Sequence, residues 1–434
     1  MDLMKAIERF NIQFIELWYT DILGAVKSVM IPASRIENAL QHGVHFDGSS
    51  LDGFARVAES DMELMPDPNT FAILPWTSES NRTARLICNV HTTQGDPFIG
   101  DPRQALIRVL KQAEEMGFSF MTGMEMEFFL FKDAACQSAD DATYFDMPTD
   151  QIQHVQRQMI QTLTDMGIGV HSHHSEIGQG QHEFELAYDH ALRMADNILT
   201  ARVALKTVAR HHNMIATFMP RPCAGQPGSG LHTHQSLHLI RNGQNIFYDA
   251  NHEYGLSETA RLFMAGQLQH ARAMTAILAP LVNSYKRLGK SFEAPVYISW
   301  ARINRAALIR IPSIQPGMED HTRLELRCPD PSSNPYLAAA VMLKAGLDGI
   351  KNHTPLPDPL EETLLSHRKA RMRQVDLLPD TLGEALAALR EDDVILSALG
   401  PYISDRFIEA KQQEFDDYNQ HITRWELDRY LNRY

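Results

Sequence analysis

Apolar and ionisable side chains alternate in four short stretches of the chain. These are residues 124–130 around Glu125 and Glu127, 181–186 around Glu183, 231–237 around His232 and His234, and 323–328 around Arg323, Glu325 and Arg327. A two-residue period is that of a half-buried strand, so each stretch sends its ionisable groups to one face and its hydrophobes to the other. A sheet face carrying all of these groups is too charged for a core. Its carboxylates repel one another unless cations lie between them, and the arginines call for anions. Metal together with an anionic substrate is the reading this pattern favours.

Around these stretches the pattern predicts further elements. Residues 12–19 form an alternating, aromatic-rich strand, a turn follows at Thr20-Asp21-Ile22-Leu23-Gly24, and residues 26–31 return, which makes a hairpin. Residues 84–91 add another strand. From Asp101 onward helical periods dominate: Asp101-Pro102 caps a helix to about Met116, Asp150 caps one to about Met166, and Asp189 opens one through about His212. Further helices fit residues 257–278, 334–350, 382–399 and 404–427. A domain break is therefore expected near Asp101, with an N-terminal domain over residues 1–100 and a larger domain over 101–434. Ligand-bearing strands with helices packed behind them make the fold class α+β.

Composition narrows the partners. The 434 residues are 44% hydrophobic and 22% charged, as in an ordinary globular protein, and the formal net charge of −14 argues against broad nucleic-acid binding. Cys88, Cys136, Cys223 and Cys328 lie far apart with no Cys-x-x-Cys pair, which disfavours a cysteine zinc site or disulfide framework and reads as buried thiols in a reducing compartment. No apolar run is long enough to span a membrane, so a cytoplasmic location is expected.

Each charged stretch also has a plainer reading. Glu125 and Glu127 alone fit a solvated strand face, but Phe128-Phe129-Leu130-Phe131 makes that strand central. Glu176 and Glu183 flank Gly178-Gln179-Gly180-Gln181, either a polar surface turn or a flexible loop that lets two carboxylates converge. His232-x-His234 is either a zinc half-site or two imidazoles on a strand. Gly228-Ser229-Gly230 lets backbone approach an anion. His171-Ser172-His173-His174 matches no common zinc spacing, so it is assigned a supporting role. Arg302, Arg305 and Arg310 precede Arg323 and Arg327 among hydrophobes, and buried guanidinium forks suit planar oxyanions. Arginines beside carboxylate-bound cations are the parts of phosphoryl transfer, with oxygen ligands favouring Mg²⁺ or Mn²⁺ over zinc. No P-loop signature is present.

In order along the chain stand Phe46-Asp47-Gly48-Ser49-Ser50, Glu125-Met126-Glu127-Phe128-Phe129-Leu130-Phe131, Gly228-Ser229-Gly230-Leu231-His232-Thr233-His234-Gln235-Ser236-Leu237, Asn283-Ser284-Tyr285-Lys286-Arg287-Leu288, Asn304-Arg305 with Ile309-Arg310-Ile311-Pro312, and Arg323-Leu324-Glu325-Leu326-Arg327 through Asn334-Pro335-Tyr336-Leu337. Together these motifs resemble the bacterial class I glutamine synthetases, and the resemblance runs from the first strand to the carboxy terminus. It implies a small β-grasp-like N-terminal domain, a catalytic domain with a curved antiparallel sheet backed by helices, and a dodecamer of two hexameric rings with sites between subunits.

The resemblance also implies roles. Glu127, Glu176 and Glu183 would hold one metal, and Glu125, His232 and Glu325 another. His234 and Ser236 would contact the co-substrate ATP, Arg305, Arg310 and Arg323 its phosphates, and Tyr188 would lie near adenine. Gly228, Arg287 and Arg327 would bind L-glutamate, and Asp47, Ser50, Tyr144 and Glu293 would form the ammonium pocket, with Glu293 on a flap. Pro227 stands where the family usually has asparagine, His171 where it has a glutamate and Ser175 where it has a histidine. No tyrosine lies between Leu337 and Pro401, so the adenylylation site of one branch is missing, and Arg56 and residues 407–411 resemble the shorter branch. Two alternatives stand beside the glutamate–ammonia ligase: a γ-glutamyl ligase using a primary amine or polyamine, and a catalytically silent regulator.

Overall fold

The structure, a computed structural model, describes residues 3–51, 61–289, 294–362 and 375–434. The expected hairpin forms: β1 (Phe14–Thr20) pairs antiparallel with β2 (Val26–Pro32). It turns at Gly24, where φ is +85° and a Cβ would come within 2.9 Å of the Asn334 Cα, so only glycine fits without movement. β1 lies parallel to β6 (Thr83–Thr92). β6 pairs antiparallel with β4 (Asp61–Pro66), beyond which lies β3 (Val44–Asp47), and the short β5 (Ala72–Ile73) also joins β6. Helices α1 (Leu3–Arg9) and α2 (Ile36–His42) bury Leu3, Ile7, Ile36 and Ala39 against Ile15, Leu17, Leu64 and Leu86 of this sheet.

The second sheet is built from β7 (Phe118–Phe131), β8 (Val170–Ser175), β9 (Gln181–His190), β10 (Ile215–Thr217), β11 (Leu231–Leu239), β12 (Tyr297–Ala301), β13 (Ala307–Arg310) and β14 (Leu324–Leu326). Its order is β12-β13-β14-β11-β7-β9-β8, with β10 beside β7. The sheet is antiparallel as expected apart from β12 and β13, which pair in parallel. One face is apolar and covered by helices. Met124, Met126, Phe128 and Phe184 pack against α4 (Asp150–Asp165) and α5 (Ala191–His211). Phe120, Leu237, Leu324 and Leu326 pack with α3 (Pro102–Glu115), α6 (Glu258–Gln269), α7 (Ala271–Leu278) and α8 (Pro335–Asn352). The alternation read from the sequence thus has its physical cause in this one-sided core. Among the described residues no helix is long and apolar enough to cross a membrane.

Several boundaries differ from expectation. Asp101 does cap α3, accepting from the Arg103 N–H at 2.9 Å, but Asp150 is the first residue of α4 rather than its cap. Asp189 does not open a helix: β9 stays paired with β7 out to His190, and α5 starts only after the ladder ends. The segment 257–278 breaks at His270, whose imidazole lies 2.7 Å from Asp392 and 3.2 Å from Asp348. The segment 382–399 is likewise two helices, Leu382–Arg390 and Asp393–Leu399, because the Asp392 side chain caps the Ile395 N–H and starts a new one. The last segment divides into Pro401–Gln420 and Arg424–Tyr430, the latter opened by a capping box between Thr423 and Glu426.

Buried polar contacts join the two sheets' territories. The Arg103 guanidinium on α3 donates to both Asp196 oxygens (3.1 and 3.0 Å), to Asp67 (2.9 Å) and to Asn89 (2.7 Å), and the Tyr336 hydroxyl donates to Asp196 at 2.6 Å. Every nitrogen of the Arg103 guanidinium is bonded and the residue is almost wholly buried, the arrangement in which a buried charge is tolerated.

Candidate active site

Strand register brings the charged face together. His232 lies opposite Glu125 across β11 and β7, Glu183 opposite Glu127 across β9 and β7, His174 opposite Glu183 across β8 and β9, and His234 opposite Glu325 across β11 and β14. Above them opens a cleft of about 240 Å³ lined by Glu125, Glu127, Glu176, Glu183 and Glu325, by Arg287, Arg305, Arg310 and Arg327, and by Tyr144, His174, Gln181, Pro227, Gly228 and His232. Twelve of the residues named from the sequence therefore share one wall.

Three sets of side chains bring ligand atoms within 4.8 Å of one another: Glu125, His232 and Glu325; Glu127, Glu183 and His232; and His174, Glu176 and Glu183. The first set is the trio expected for one metal. The second and third share Glu183 and together contain Glu127 and Glu176, the other expected trio, with His174 added. Mostly oxygen donors with one imidazole fit a hard divalent cation, and Glu125 is already held by His232 at 3.0 Å and His234 at 2.8 Å.

The electrostatics say why a cation belongs here. Burial, reinforced by the neighbouring Glu127 charge, raises the Glu176 carboxyl to about 7. Burial raises Glu183 to about 8, against the hydrogen bond from His174 and together with the charges of Glu125, Glu127 and Glu176. That same bond to Glu183 raises the His174 imidazole to about 9. Desolvated like charges thus hold protons that a divalent cation would replace. Glu125 behaves oppositely: burial would raise it, but hydrogen bonds from His232 and His234 hold it well below the carboxylate range.

Glu325 marks the border between acidic and basic halves. Wholly buried, it accepts from Arg310 on one oxygen and from Arg327 on the other, and the Arg327 charge helps to keep it below its ordinary value against its burial. The buried Arg327 Nε has no partner among the described atoms, which leaves one donor of that fork for a ligand. Arg287 is placed differently. Its terminal nitrogens donate to the Cys328 and Arg327 carbonyls at 2.9 Å each, and it packs so close to Gly228 that a Cβ there would lie 2.8 Å from the Arg287 Cγ and 2.4 Å from the Pro220 oxygen. The backbone at Gly228 can approach the cleft for this reason.

Other expected site residues stand outside the lining. His234 is buried behind Glu125 and receives a bond from Arg323 at 3.3 Å. Tyr188 lays its ring over Gly123 and donates its hydroxyl to the fully buried Ser236 at 2.8 Å. Asp47 and Ser50 remain in the N-terminal domain, where the Asp47 carboxylate accepts from the Ser49 N–H at 3.0 Å and Ser50 meets the Tyr19 hydroxyl at 2.9 Å. Glu293 and Arg56 lie outside the described residues. Two side chains were given no site role from the sequence. His174, assigned only a supporting role, joins the acidic set, and its place in an alternating histidine tract two residues before Glu176 was the available signal. Gln181 donates to Glu127 and to the Gly228 carbonyl, both at 3.0 Å, and accepts from the Gly178 N–H at 3.0 Å.

Comparison with known proteins agrees over the whole chain. Residues 11–93 match the family model described as glutamine synthetase, beta-Grasp domain, and residues 99–430 the model described as glutamine synthetase, catalytic domain. A protein named Glutamine synthetase from Staphylococcus aureus (strain MW2) is 46% identical over 442 residues, covering 100% of this chain and 98% of that protein. One of the same name from Halobacterium salinarum is 46% identical over 437 residues, covering 99% and 95%. A solved structure described as "Apo GmaS without ligand" superposes with a TM-score of 0.89 at 33% identity, covering 99% of both chains, and one described as "GmaS/ADP complex-Conformation 1" does so with 0.89 at 32%.

Proposed function

The chain belongs to the glutamine synthetase family, and from that premise we propose that it joins ammonia to the γ-carboxylate of L-glutamate, driven by ATP through a γ-glutamyl phosphate, to give glutamine, ADP and phosphate. The observation that carries this reading is Glu325. It ties a carboxylate and imidazole set fit for divalent cations to the arginines Arg310 and Arg327 within one cleft.

Each group then has a task. Glu125, His232 and Glu325 would hold one Mg²⁺ or Mn²⁺, and Glu127, Glu176 and Glu183, with His174 behind them, another. When bound, these ions supply charge neutralisation for the transferring phosphoryl group and for the carboxylate it joins. Arg305 and Arg310 face the phosphates from the cleft wall, with Arg323 reaching from beside His234, and spread the negative charge that develops on the equatorial oxygens. Arg327, with its spare Nε, receives a glutamate carboxylate, and the Gly228 backbone, backed by Arg287, accepts the substrate's amino end. Phosphorylation converts the γ-carboxylate from a poor acceptor of nucleophiles into an acyl phosphate with a good leaving group. Tyr188, His234 and Ser236 are assigned to the nucleotide, and one similar structure is described as an ADP complex.

Asp47, Ser50, Tyr144 and Glu293 are assigned to ammonium, attracting the cation and removing a proton before attack. Tyr144 lines the cleft, whereas Asp47 belongs to the domain that does not. That separation supports a ring assembly, a dodecamer of two hexamers, in which a neighbouring copy supplies Asp47. The test is glutamate-dependent phosphate release from ATP with ammonia and with a panel of primary amines and polyamines. Turnover with ammonia as the preferred acceptor is expected. Preference for an amine would replace this reading by an amine ligase, and absence of glutamate-dependent release by a silent regulator.

A further inference from the structure

Phe145 stands where neither backbone nor packing calls for a large apolar ring. It follows Tyr144 in the tight turn 143–146, between β7 and α4. The turn closes with the Asp146 N–H donating to the Thr143 carbonyl at 2.8 Å, while the Asp146 carboxylate accepts from the Thr143 N–H at 3.0 Å and from its hydroxyl at 2.7 Å. Phe145 takes the third place of this turn at φ +61°, the left-handed region that suits glycine or asparagine and that a bulky side chain seldom adopts. Its ring adds nothing to a core either. The residue is 63% exposed and belongs to none of the apolar clusters among the described residues.

What the ring does meet is His174. The two ring centroids lie 4.4 Å apart with the planes at 36°, and the Tyr144 ring, 4.5 Å from Phe145, meets the same imidazole edge-on at 6.1 Å. The backbone fixes this pairing. The Ser175 carbonyl at the end of β8 accepts from the Phe145 N–H at 3.1 Å and lies 3.1 Å from the His174 Nδ1, so turn and imidazole are fastened to one oxygen. From there His174 reaches Glu183 with Nε2 at 3.2 Å, and its Nδ1 stands 3.6 Å from Glu176. The nitrogens set the direction of the imidazole, and the Phe145 ring against its face limits how far it tilts.

We propose that Phe145 is a positioning residue: stacked on His174, it holds the imidazole against Glu176 and Glu183 and so fixes the geometry in which these carboxylates take a divalent cation. Phe145 itself does not line the cleft, so it acts through His174 rather than on cation or substrate. Outer groups that orient the ligands of a metal tune its affinity in this way. The strained backbone is kept for the site and not for the fold. Removing the ring should therefore loosen the cation without weakening the protein.

The role rests on the cation site assigned to Glu127, Glu176 and Glu183 under the ligase reading. Its test is calorimetric titration of the full-length protein with Mn²⁺, without substrates, beside urea unfolding. Phe145→Asn places a residue at home in the left-handed turn and deletes the ring. It should weaken one class of Mn²⁺ sites by about tenfold, spare the class held by Glu125, His232 and Glu325, and leave the urea midpoint unchanged or higher. Phe145→Tyr, which keeps the ring, should bind Mn²⁺ as the wild type does. In a His174→Ala background, itself weakened at the same site, Phe145→Asn should cause no further loss. Wild-type affinity in Phe145→Asn, an equal loss with and without His174, or a loss that merely follows a lower urea midpoint would each overturn the proposal. A wild type that takes up no Mn²⁺ overturns the cation site and this role with it. Glutamate-dependent phosphate release is measured separately, so a failed ligase reading and a failed role for Phe145 give different results.

Discussion

Gln181 offers a demanding test of how the site is held, because its amide is completely used. Both N–H bonds are spent, one on the Glu127 carboxylate and one on the Gly228 carbonyl, and the oxygen accepts from Gly178. Methionine fills nearly the same volume but can make none of these bonds. The lost bond to an ionised carboxylate is worth about 1.5–3 kcal/mol, and each backbone group left without a partner costs about 1–3 kcal/mol. Since Gly228 is half-buried and water can replace part of the loss there, Gln181→Met should destabilise the fold by about 3 kcal/mol. Its second effect falls on the ligands. Glu127 keeps the Gly230 N–H at 3.0 Å but loses the other group that orients it, and loss of such an outer partner weakens metal binding or activity by about 10–100-fold. Calorimetric titration of Mn²⁺ and urea unfolding of the same protein measure both quantities. Gln181→Glu serves as control, since it restores a polar group of the same shape but sets a carboxylate against Glu127, and it should bind Mn²⁺ no better than the methionine variant. Wild-type Mn²⁺ affinity in Gln181→Met would refute the argument that this amide positions Glu127.

Three further outcomes are expected. Glu127→Gln removes a ligand charge while leaving the shape, so it should lower turnover at least ~100-fold and weaken Mn²⁺ binding, as steady-state assays and titration would show. Chains carrying Asp47→Ala and Arg327→Ala, each nearly inactive alone, should regain part of the activity when dissociated and reassembled together. Mixed assemblies no better than the separate variants would rule out a site shared between copies. His270 is held protonated by the hydrogen bonds and charges of Asp392 and Asp348, which outweigh its burial, so its folded pKa lies above the unfolded value. Its stabilisation is therefore complete below about pH 6.5 and lost as pH rises through the folded pKa. Urea midpoints of wild type and His270→Gln should differ most at acid pH and converge at alkaline pH, and a gap that widens with pH would contradict the assignment.

How much of this was legible in the sequence depended on whether the information was local. Alternation in β7, β9 and β11 is local, and it placed Glu125, Glu127, Glu183 and His232 on one face, because their apolar neighbours face a helical layer. Register is not local. That His232 lies opposite Glu125 and His234 opposite Glu325 follows from pairing between distant strands, and only the family resemblance anticipated which residues would share a ligand set. The helix ends failed for the same reason. Asp189 has the composition of a cap, but a ladder to β7 holds it in a strand, and residues 257–278 have an unbroken helical period that His270 interrupts to reach two aspartates from elsewhere. Gln181 went unassigned and His174 was given only a supporting role, because a glutamine in a glycine-rich loop and a histidine among histidines acquire meaning only from what the fold sets beside them.

The junction at Arg103 has a further consequence. Asp67 and Asn89 belong to the small sheet's domain and Asp196 and Tyr336 to the large one, yet one guanidinium and one hydroxyl bind all four together, and Trp18, Leu74 and Ile87 share a core with Met124 and Phe128. The chain can be cut on paper near residue 100, but its cohesion runs straight through the cut. An N-terminal fragment would expose that apolar surface and carry Asp67 and Asn89 without Arg103, their partner, so it has no reason to stand alone. Any face it offers to a second copy is thereby aimed by the large domain, like a tool set in a fixed handle.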